Sequence, residues 1–461
     1  MLSYAHMQSS RPNSISVEDA FFGDSGKGSV VVKCIGMFKK AQSAYSLRFN
    51  GGANAGHETL YNGKVVTTHQ LPIGLIFENT TSFITRGAVI HPQDLVAEIE
   101  RTSHILGGIP GKLIIDERTP LCLDTHRARE LVMNRVTTGG HGSTGRGIAS
   151  AYESVYGRYA VTMKDLMAHN WKDILGSHYD LYAQFLKGFG SSLAQTQVKP
   201  TLQKITQPVG SKQVFLKNLS AARNSLKPYT VPLYDILSKA WNDGTKPFVL
   251  EGAQGPGLDP YHGVYPDITA SRPMIRNIND ATYNIILPED IRIRAAVMKT
   301  TYVSSVGTRV LPATIDKKFE KRIQEDFAEK GKTTGRLRDI YYVSIPMAQY
   351  LQRASGYNCL VASHLDASQI GEHITITTKY VDKKTGKKSA YFPYQDALDN
   401  LSAQSKLFKG WDGEKIKAAK SFKDLPVNCR TLLDYYSKHV APVWMATHGA
   451  DVDDYVILKN S

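Results

Sequence analysis

The chain has 461 residues, 42% hydrophobic and 21% charged, a composition near the globular average that excludes disordered, collagen-like and coiled-coil architectures. Lys and Arg outnumber Asp and Glu by 56 to 42, a formal charge of +14 that suits an anionic ligand but dictates no fold. Cys34, Cys122, Cys359 and Cys429 are scattered without a CxxC pair, so a zinc knuckle, a disulfide framework and secretion are all disfavoured, and a cytoplasmic protein is expected.

Residues 1–16 lack the apolar core of a signal peptide and are expected to form a flexible leader. No linker, repeat or low-complexity tract follows, so residues 17–461 are expected to be a single domain with insertions. No run of 18 apolar residues occurs, and no membrane partner is expected. The β-branched and aromatic stretch Ile15 to Phe22 predicts a strand, GDSGKGS a glycine loop, and Val30 to Phe38 a helix. Strand, glycine loop and helix in succession is how a parallel α/β sheet begins. Further strands are predicted at Ser82–Ile84, Lys112–Ile115, Pro247–Leu250, Ala295–Lys299, Asn358–Ala362, Ile374–Tyr380 and Val443–Thr447. Several end in Gly, Ser, Thr or Asp, the residue types that carry function at the C-terminal ends of such strands. Val161 to Ala240 reads as amphipathic helix, with Leu166, Met167, Ile174 and Leu175 apolar, and Lys383 to Lys388 as a solvated hairpin turn.

Six motifs carry chemistry. The loop Gly23-Asp24-Ser25-Gly26-Lys27-Gly28-Ser29 offers backbone N–H groups, a helix N-terminus and a lysine to phosphate oxygens. It is not a Walker loop, which needs glycine where Phe21 stands. The segment Asn50 to His57 sets small residues around Asn54 and His57, allowing close backbone approach to a ligand. Gly142-Ser143-Thr144-Gly145-Arg146-Gly147 reads as an anion nest, with Arg158 beyond it. Glu251-Gly252-Ala253-Gln254-Gly255 follows a predicted strand and leads through Asp259 and His262 to Thr269. Thr333, Thr334, Arg336 and Arg338 form a carboxylate or phosphate clamp, because guanidinium groups grip such anions bidentately. Ser363-His364-Leu365-Asp366 places a carboxylate able to accept from guanine N1–H and its exocyclic amine. Taken singly, each motif also fits an ordinary glycine-rich turn or a solvated loop.

In this order the six motifs resemble the adenylosuccinate synthetase family over nearly the whole chain, from about Val17 to Gly449. The resemblance implies a large, mostly parallel central sheet flanked by helices with small inserted subdomains, working as a homodimer. It implies a ligase that couples a purine 5′-monophosphate to L-aspartate while cleaving a nucleoside triphosphate, through a 6-phosphoryl intermediate. By the same resemblance Asp24 is the base for the purine N1–H. His57 and Lys27 stabilise the moving phosphoryl group, and Gln254 sits by the purine. Asp24 and the Gly56 carbonyl would hold Mg²⁺. Asn54, Ser143, Thr144, Thr269, Arg336 and a partner subunit's copy of Arg158 would bind the monophosphate. Thr333, Thr334, Arg336 and Arg338 would bind aspartate. The triphosphate would lie against Gly23, Ser25, Gly26, Lys27, Gly28, Ser29 and His57, with its base against Ser363, His364, Asp366, Thr447 and Gly449.

Departures accompany the likeness. Ser25 and Ser29 stand where the family usually has Glu and Lys, Ser143 replaces a Thr, and His364 replaces a Lys. The stretch Ala270–Ile278 is rewritten. A diverged phage branch of the family acts on dGMP and has usually lost the loop acid. Retention of Asp24 favours IMP as acceptor, and retention of Asp366 favours GTP as donor. The alternative is a phage-type synthetase joining dGMP to aspartate with ATP or another donor. A nucleic-acid partner is not expected, since the basic residues are dispersed and no recognition motif stands out. A catalytically dead nucleotide-binding paralogue would bind ligand without releasing phosphate.

Overall fold

The computed structural model describes residues 11–38, 43–136, 143–305, 307–312, 315–327, 329, 337–366 and 373–458. Its frame is a ten-stranded sheet in the spatial order Tyr455–Ile457, Val443–Thr447, Cys359–Ser363, Ile291–Lys299, Arg11–Asp19, Phe248–Glu251, Ala44–Arg48, Thr80–Ile84, Lys112–Asp116 and Thr230–Val231. Every adjacent pair is parallel except the edge pair Val443–Thr447 with Tyr455–Ile457. A parallel sheet must be covered on both faces, and the buried clusters show that it is. Val30, Val31 and Ile35 of the helix Lys27–Gly36 pack with Ile15 and Val249, whereas Leu47, Phe83 and Phe248 pack with Leu237 and Trp241.

Two predicted boundaries shift. The first strand begins at Arg11, so residues 11–16 of the expected leader lie in mid-sheet, and it ends at Asp19. Ser14, inside that stretch, is satisfied internally: its Oγ donates to Arg11 O (2.6 Å) and accepts from Arg292 N (3.1 Å). Arg11 stacks 4.8 Å from the Trp241 ring centroid and donates to Trp241 O (2.6 Å). The strand stops because Asp19 turns the chain, its Oδ1 accepting from Phe21 N (2.8 Å). The helix starts at Lys27, three residues before the predicted Val30, on a left-handed Gly26 (φ 92°).

The segment 161–240 is largely helical, as Met163–Met167, Trp171–Gly188, Lys212–Leu226 and Tyr234–Asn242, interrupted by a short strand pair and the edge strand. Leu166 and Leu175 are buried in its core, with Met167 and Ile174 packed at the rim. Ile374–Tyr380 is a strand but not of the central sheet. It lies within His373–Asp382, which pairs antiparallel with Leu401–Lys409 in a smaller sheet. Lys383–Lys388 is the predicted turn, held by Asp382 Oδ1 accepting from Lys384 N (3.0 Å) and Thr385 N (2.7 Å). All four cysteines are free and buried. Among the described residues no helix is long and apolar enough to cross a membrane.

Candidate active site

The C-terminal ends of the parallel strands share one edge of the sheet, where ligands bind in folds of this class. Gly23–Lys27 follows the first strand, His57 follows Ala44–Arg48, and Gln254 follows Phe248–Glu251. His364 follows Cys359–Ser363, and Thr447 ends Val443–Thr447. Backbone strain collects there. Asp24 (φ 58°), Gln254 (φ 60°) and His364 (φ 57°) are left-handed non-glycine residues, as is Arg158 (φ 66°). Such conformations cost roughly 1–3 kcal/mol each and persist where the surroundings impose them.

The glycine loop is anchored from below by a residue the motif does not contain. Asp19, buried, accepts from Ser25 Oγ and pairs with Lys27 Nζ at 3.3 Å. Lys27 is therefore already countered by a carboxylate. Ser29 Oγ accepts from Lys33 Nζ (3.1 Å), one helical turn further on. Gly28 admits His57: a Cβ there would stand 2.6 Å from His57 Cβ and 2.9 Å from His57 Cα. A Cβ on Gly23 would meet the Gln254 backbone at 3.6 Å, and one on Gly26 the His364 ring at 3.6 Å. The structure thus brings the first loop, His57, Gln254 and His364 together.

His57 is oriented by Glu251. Its Nδ1 lies 2.5 Å from Glu251 Oε1, which also accepts from Arg48 Nη1 (2.9 Å), while Oε2 accepts from Ile73 N (2.9 Å). All three side chains are buried. Burial pushes His57 below its ordinary value. Burial opposes ionisation of Glu251 too, but His57 and Arg48 outweigh it and hold that carboxyl below its usual range. With Nδ1–H donated to Glu251, the ring turns Nε2 away from the carboxylate.

The second and fourth motifs are locked together. Asn50 Nδ2 donates to Ala253 O (3.0 Å) and Asn50 Oδ1 accepts from Ala253 N (2.8 Å). Asn54 Oδ1 accepts from Gly52 N (3.2 Å), shaping its own loop next to Gly56. Gln254 Oε1 accepts from Ser271 Oγ (2.8 Å), and Ser271 Oγ is 3.2 Å from Thr269 Oγ1. A residue of the rewritten stretch therefore holds the Gln254 side chain.

Asp24 is not a free base. Its Oδ2 is 2.7 Å from Arg338 Nη2, and Arg338 Nη1 is 2.6 Å from Glu329 Oε2. Arg338, expected among the aspartate ligands, already has two carboxylates. Glu329 also accepts from Lys299 Nζ and from the Tyr302 hydroxyl (2.6 Å). Burial works against ionisation of Glu329, but Lys299 and Arg338 hold it down at about 2. Thr333, Thr334 and Arg336 lie outside the described residues.

Ser143 faces inward, donating to Glu130 Oε1 (2.6 Å) and accepting from Gly145 N (3.1 Å), with half-buried Thr144 beside it. Arg146 is buried and donates to Lys199 O (2.8 Å), so it braces the nest. Arg158 is exposed just beyond the helix Ile148–Tyr156. On the other flank, Ser363 Oγ donates to Ser25 O (2.8 Å) and lies 2.9 Å from His364 Nδ1. Burial pushes His364 down to about 4. Asp366 is half-buried just past this strand, and Thr447 is buried at the end of its own. The Gly449 carbonyl accepts from Lys33 Nζ (3.2 Å), whose ammonium burial pushes down to about 8.

Asp19, Arg48, Glu130, Lys33, Lys299 and Glu329 are missing from the sequence reading, and Glu251 figures there only as a motif letter. The sole advance signal is chemical: a buried cation needs an acid behind it, and no spacing says which one.

Comparison with known proteins agrees with this geometry. The adenylosuccinate synthetase family profile matches residues 17–456. The adenylosuccinate synthetase of Buchnera aphidicola is 29% identical over 445 residues, covering 95% of this chain and 97% of its own. That of Acetivibrio thermocellus is 30% identical over 416 residues, covering 89% and 91%. In fold, the fully ligated adenylosuccinate synthetase of Plasmodium falciparum superposes with a TM-score of 0.85 at 22% identity, covering 97% of this chain and 100% of its own. The cyanophage S-2L succinoaminodeoxyadenylate synthetase, solved with dGMP and dATP, gives 0.56 at 16%, covering 96% and 95%. The chain belongs to the adenylosuccinate synthetase family of C–N bond-forming ligases.

Proposed function

We propose that this chain joins IMP to L-aspartate with GTP as phosphoryl donor, giving adenylosuccinate by way of a 6-phosphoryl intermediate. The observation that carries the reading is the meeting of the Asp24 loop, Gln254 and His57 at one strand edge, with Gly28 bared to admit the imidazole. A carboxylate, an amide and an imidazole then share one edge of the sheet. In the first step Asp24 takes the N1 proton, O6 attacks the γ-phosphorus, and GDP leaves. In the second the aspartate amine attacks C6, phosphate leaves, and the amine loses a proton. A carboxylate is a weak base for N1–H, so positioning supplies much of the effect.

Lys27, His57 and the N–H groups of residues 23–29 serve the transferring phosphoryl group. Asn54, Ser143, Thr144 and Thr269 serve the 5′-phosphate, joined by Arg158 of a partner subunit in a homodimer. Its exposure on a strained turn suits a residue that acts outside its own chain. Arg338 serves a carboxylate of aspartate together with Thr333, Thr334 and Arg336. Asp366 reads the donor's base, with Ser363, His364, Thr447 and Gly449 around it.

The donor set fits Mg²⁺. The half-exposed Asp24 carboxylate and the Gly56 carbonyl offer hard oxygen donors of the kind Mg²⁺ takes. When bound, Mg²⁺ would neutralise phosphate charge.

A second acceptor has one observation in its favour: Ser271, from the rewritten stretch, holds the purine-side Gln254. Phosphate release measured with aspartate, crossing IMP and dGMP against GTP, ATP and dATP, tests both choices. A kcat/KM for dGMP above that for IMP reverses the acceptor, and equal rates with ATP reverse the donor.

A further inference from the structure

Arg338 has one satisfied side and one half-satisfied side. Nη1 is fixed on Glu329, which is itself held by Lys299 and Tyr302, and Arg338 N donates to Glu329 O (3.0 Å), so backbone and side chain clamp the same pair. The opposite edge presents Nε–H and Nη2–H side by side, the fork that takes both oxygens of a carboxylate. Asp24 uses only half of it: Oδ2 reaches Nη2 at 2.7 Å, and Nε has no hydrogen-bond partner among the described residues although Arg338 is 93% buried. Asp24 is the more exposed member, 42% accessible, so it can leave without disturbing the core.

We propose that Arg338 is a carboxylate exchange point: its Nε–Nη2 edge holds Asp24 in the free protein and takes a carboxylate of the incoming dicarboxylic substrate instead, while Glu329 keeps the guanidinium in place. The exchange replaces an ion pair made through one nitrogen by a two-nitrogen, charge-assisted grip and leaves the charge on Arg338 neutralised throughout. It also frees Asp24 from its cation when the second substrate arrives, so occupancy of one site alters the other. Glu329 is a positioning residue in this scheme, since it touches neither substrate. The inference rests on the reading of Arg338 as a ligand for aspartate.

The test uses succinate, a dicarboxylate without the attacking amine, titrated calorimetrically into the full chain with IMP present and no triphosphate or divalent metal. Asp24→Asn removes the internal competitor and is expected to bind succinate about fivefold tighter or better. Glu329→Gln is expected to bind it about tenfold more weakly and, in turnover, to raise the KM for aspartate with kcat and the KM for GTP little changed. If Arg338→Ala loses succinate while Asp24→Asn binds it no better than wild type, exchange is overturned and the ligand assignment stands. If Arg338→Ala binds succinate as wild type does, the ligand assignment itself falls. Wild-type affinity and KM in Glu329→Gln overturn its positioning role. Should that variant fail to fold, the half-exposed Asp24→Asn decides the exchange alone.

Discussion

Glu251→Gln removes one charge from the middle of the molecule without changing its shape. The carboxylate receives three donors, Arg48 Nη1 and His57 Nδ1 on one oxygen and Ile73 N on the other. A carboxamide oriented to keep the first two points its NH₂ at the Ile73 N–H, donor against donor. The flipped rotamer strands two donors instead. Arg48 keeps its bonds to Asn50 O (3.0 Å) and His69 O (3.2 Å) but loses its one acidic partner among the described residues. Breaking a buried ion pair by removing one member costs about 3–5 kcal/mol, of which one unsatisfied buried N–H accounts for about 1–3 kcal/mol. The urea midpoint at constant m-value reads the loss. The double variant Arg48→Met, Glu251→Gln, which leaves no lone charge, should recover part of it. A loss below about 1 kcal/mol in the single variant would refute the claim that this carboxylate organises the His57 side of the site.

Three further outcomes are expected. Gly28→Ala should cut kcat/KM by about a hundredfold or more, because the new methyl would stand 2.6 Å from His57 Cβ and push the ring away; steady-state kinetics with a fold check by circular dichroism measures it, and wild-type turnover contradicts the close packing. Mixing inactive Asp24→Ala with inactive Arg158→Ala should restore part of the phosphate release through heterodimers, and no recovery despite demonstrated subunit exchange places the arginine in its own chain's site. Burial raises the Glu18 carboxyl to about 7, and its Oε1 has no partner among the described residues. The folded protein thus holds a proton between pH 4.5 and 7 that the unfolded chain releases, so this group makes stability fall as pH rises through that window, by up to about 3 kcal/mol. Glu18→Gln should flatten that decline in urea titrations taken at successive pH values, and an unchanged slope would contradict the assignment.

The strand-edge loops were legible because glycines, hydroxyls and charges in a fixed order have few other uses. Eight predicted strands exist, and seven of them lie in the central sheet. The exception, Ile374–Tyr380, shows the limit: alternation identifies a strand, but the choice of sheet depends on which partner edge is open. The leader boundary failed because residues 11–14 carry no apolar alternation of their own, and the burial of Ser14 follows from neighbours far along the chain. The carboxylates behind the site were not legible at all. Glu251 stands 203 residues from Arg48 and Glu329 stands 30 from Lys299, and nothing local in either segment announces the pairing. The motif residues were visible, and what they hold on to was not.

The contact of Lys33 with the carbonyls of Gly449 and Asp451 has a consequence for the order in which the molecule is made. Lys33 precedes Gly449 by 416 residues, so the helix that begins at the glycine loop leaves the ribosome long before residues 449–451. Until they arrive the Lys33 ammonium lacks two of the three acceptors it has among the described residues. Shorter nascent chains therefore cannot complete this edge, however much of the sheet has formed, and chaperone contact with it should persist until residues 449–451 have emerged.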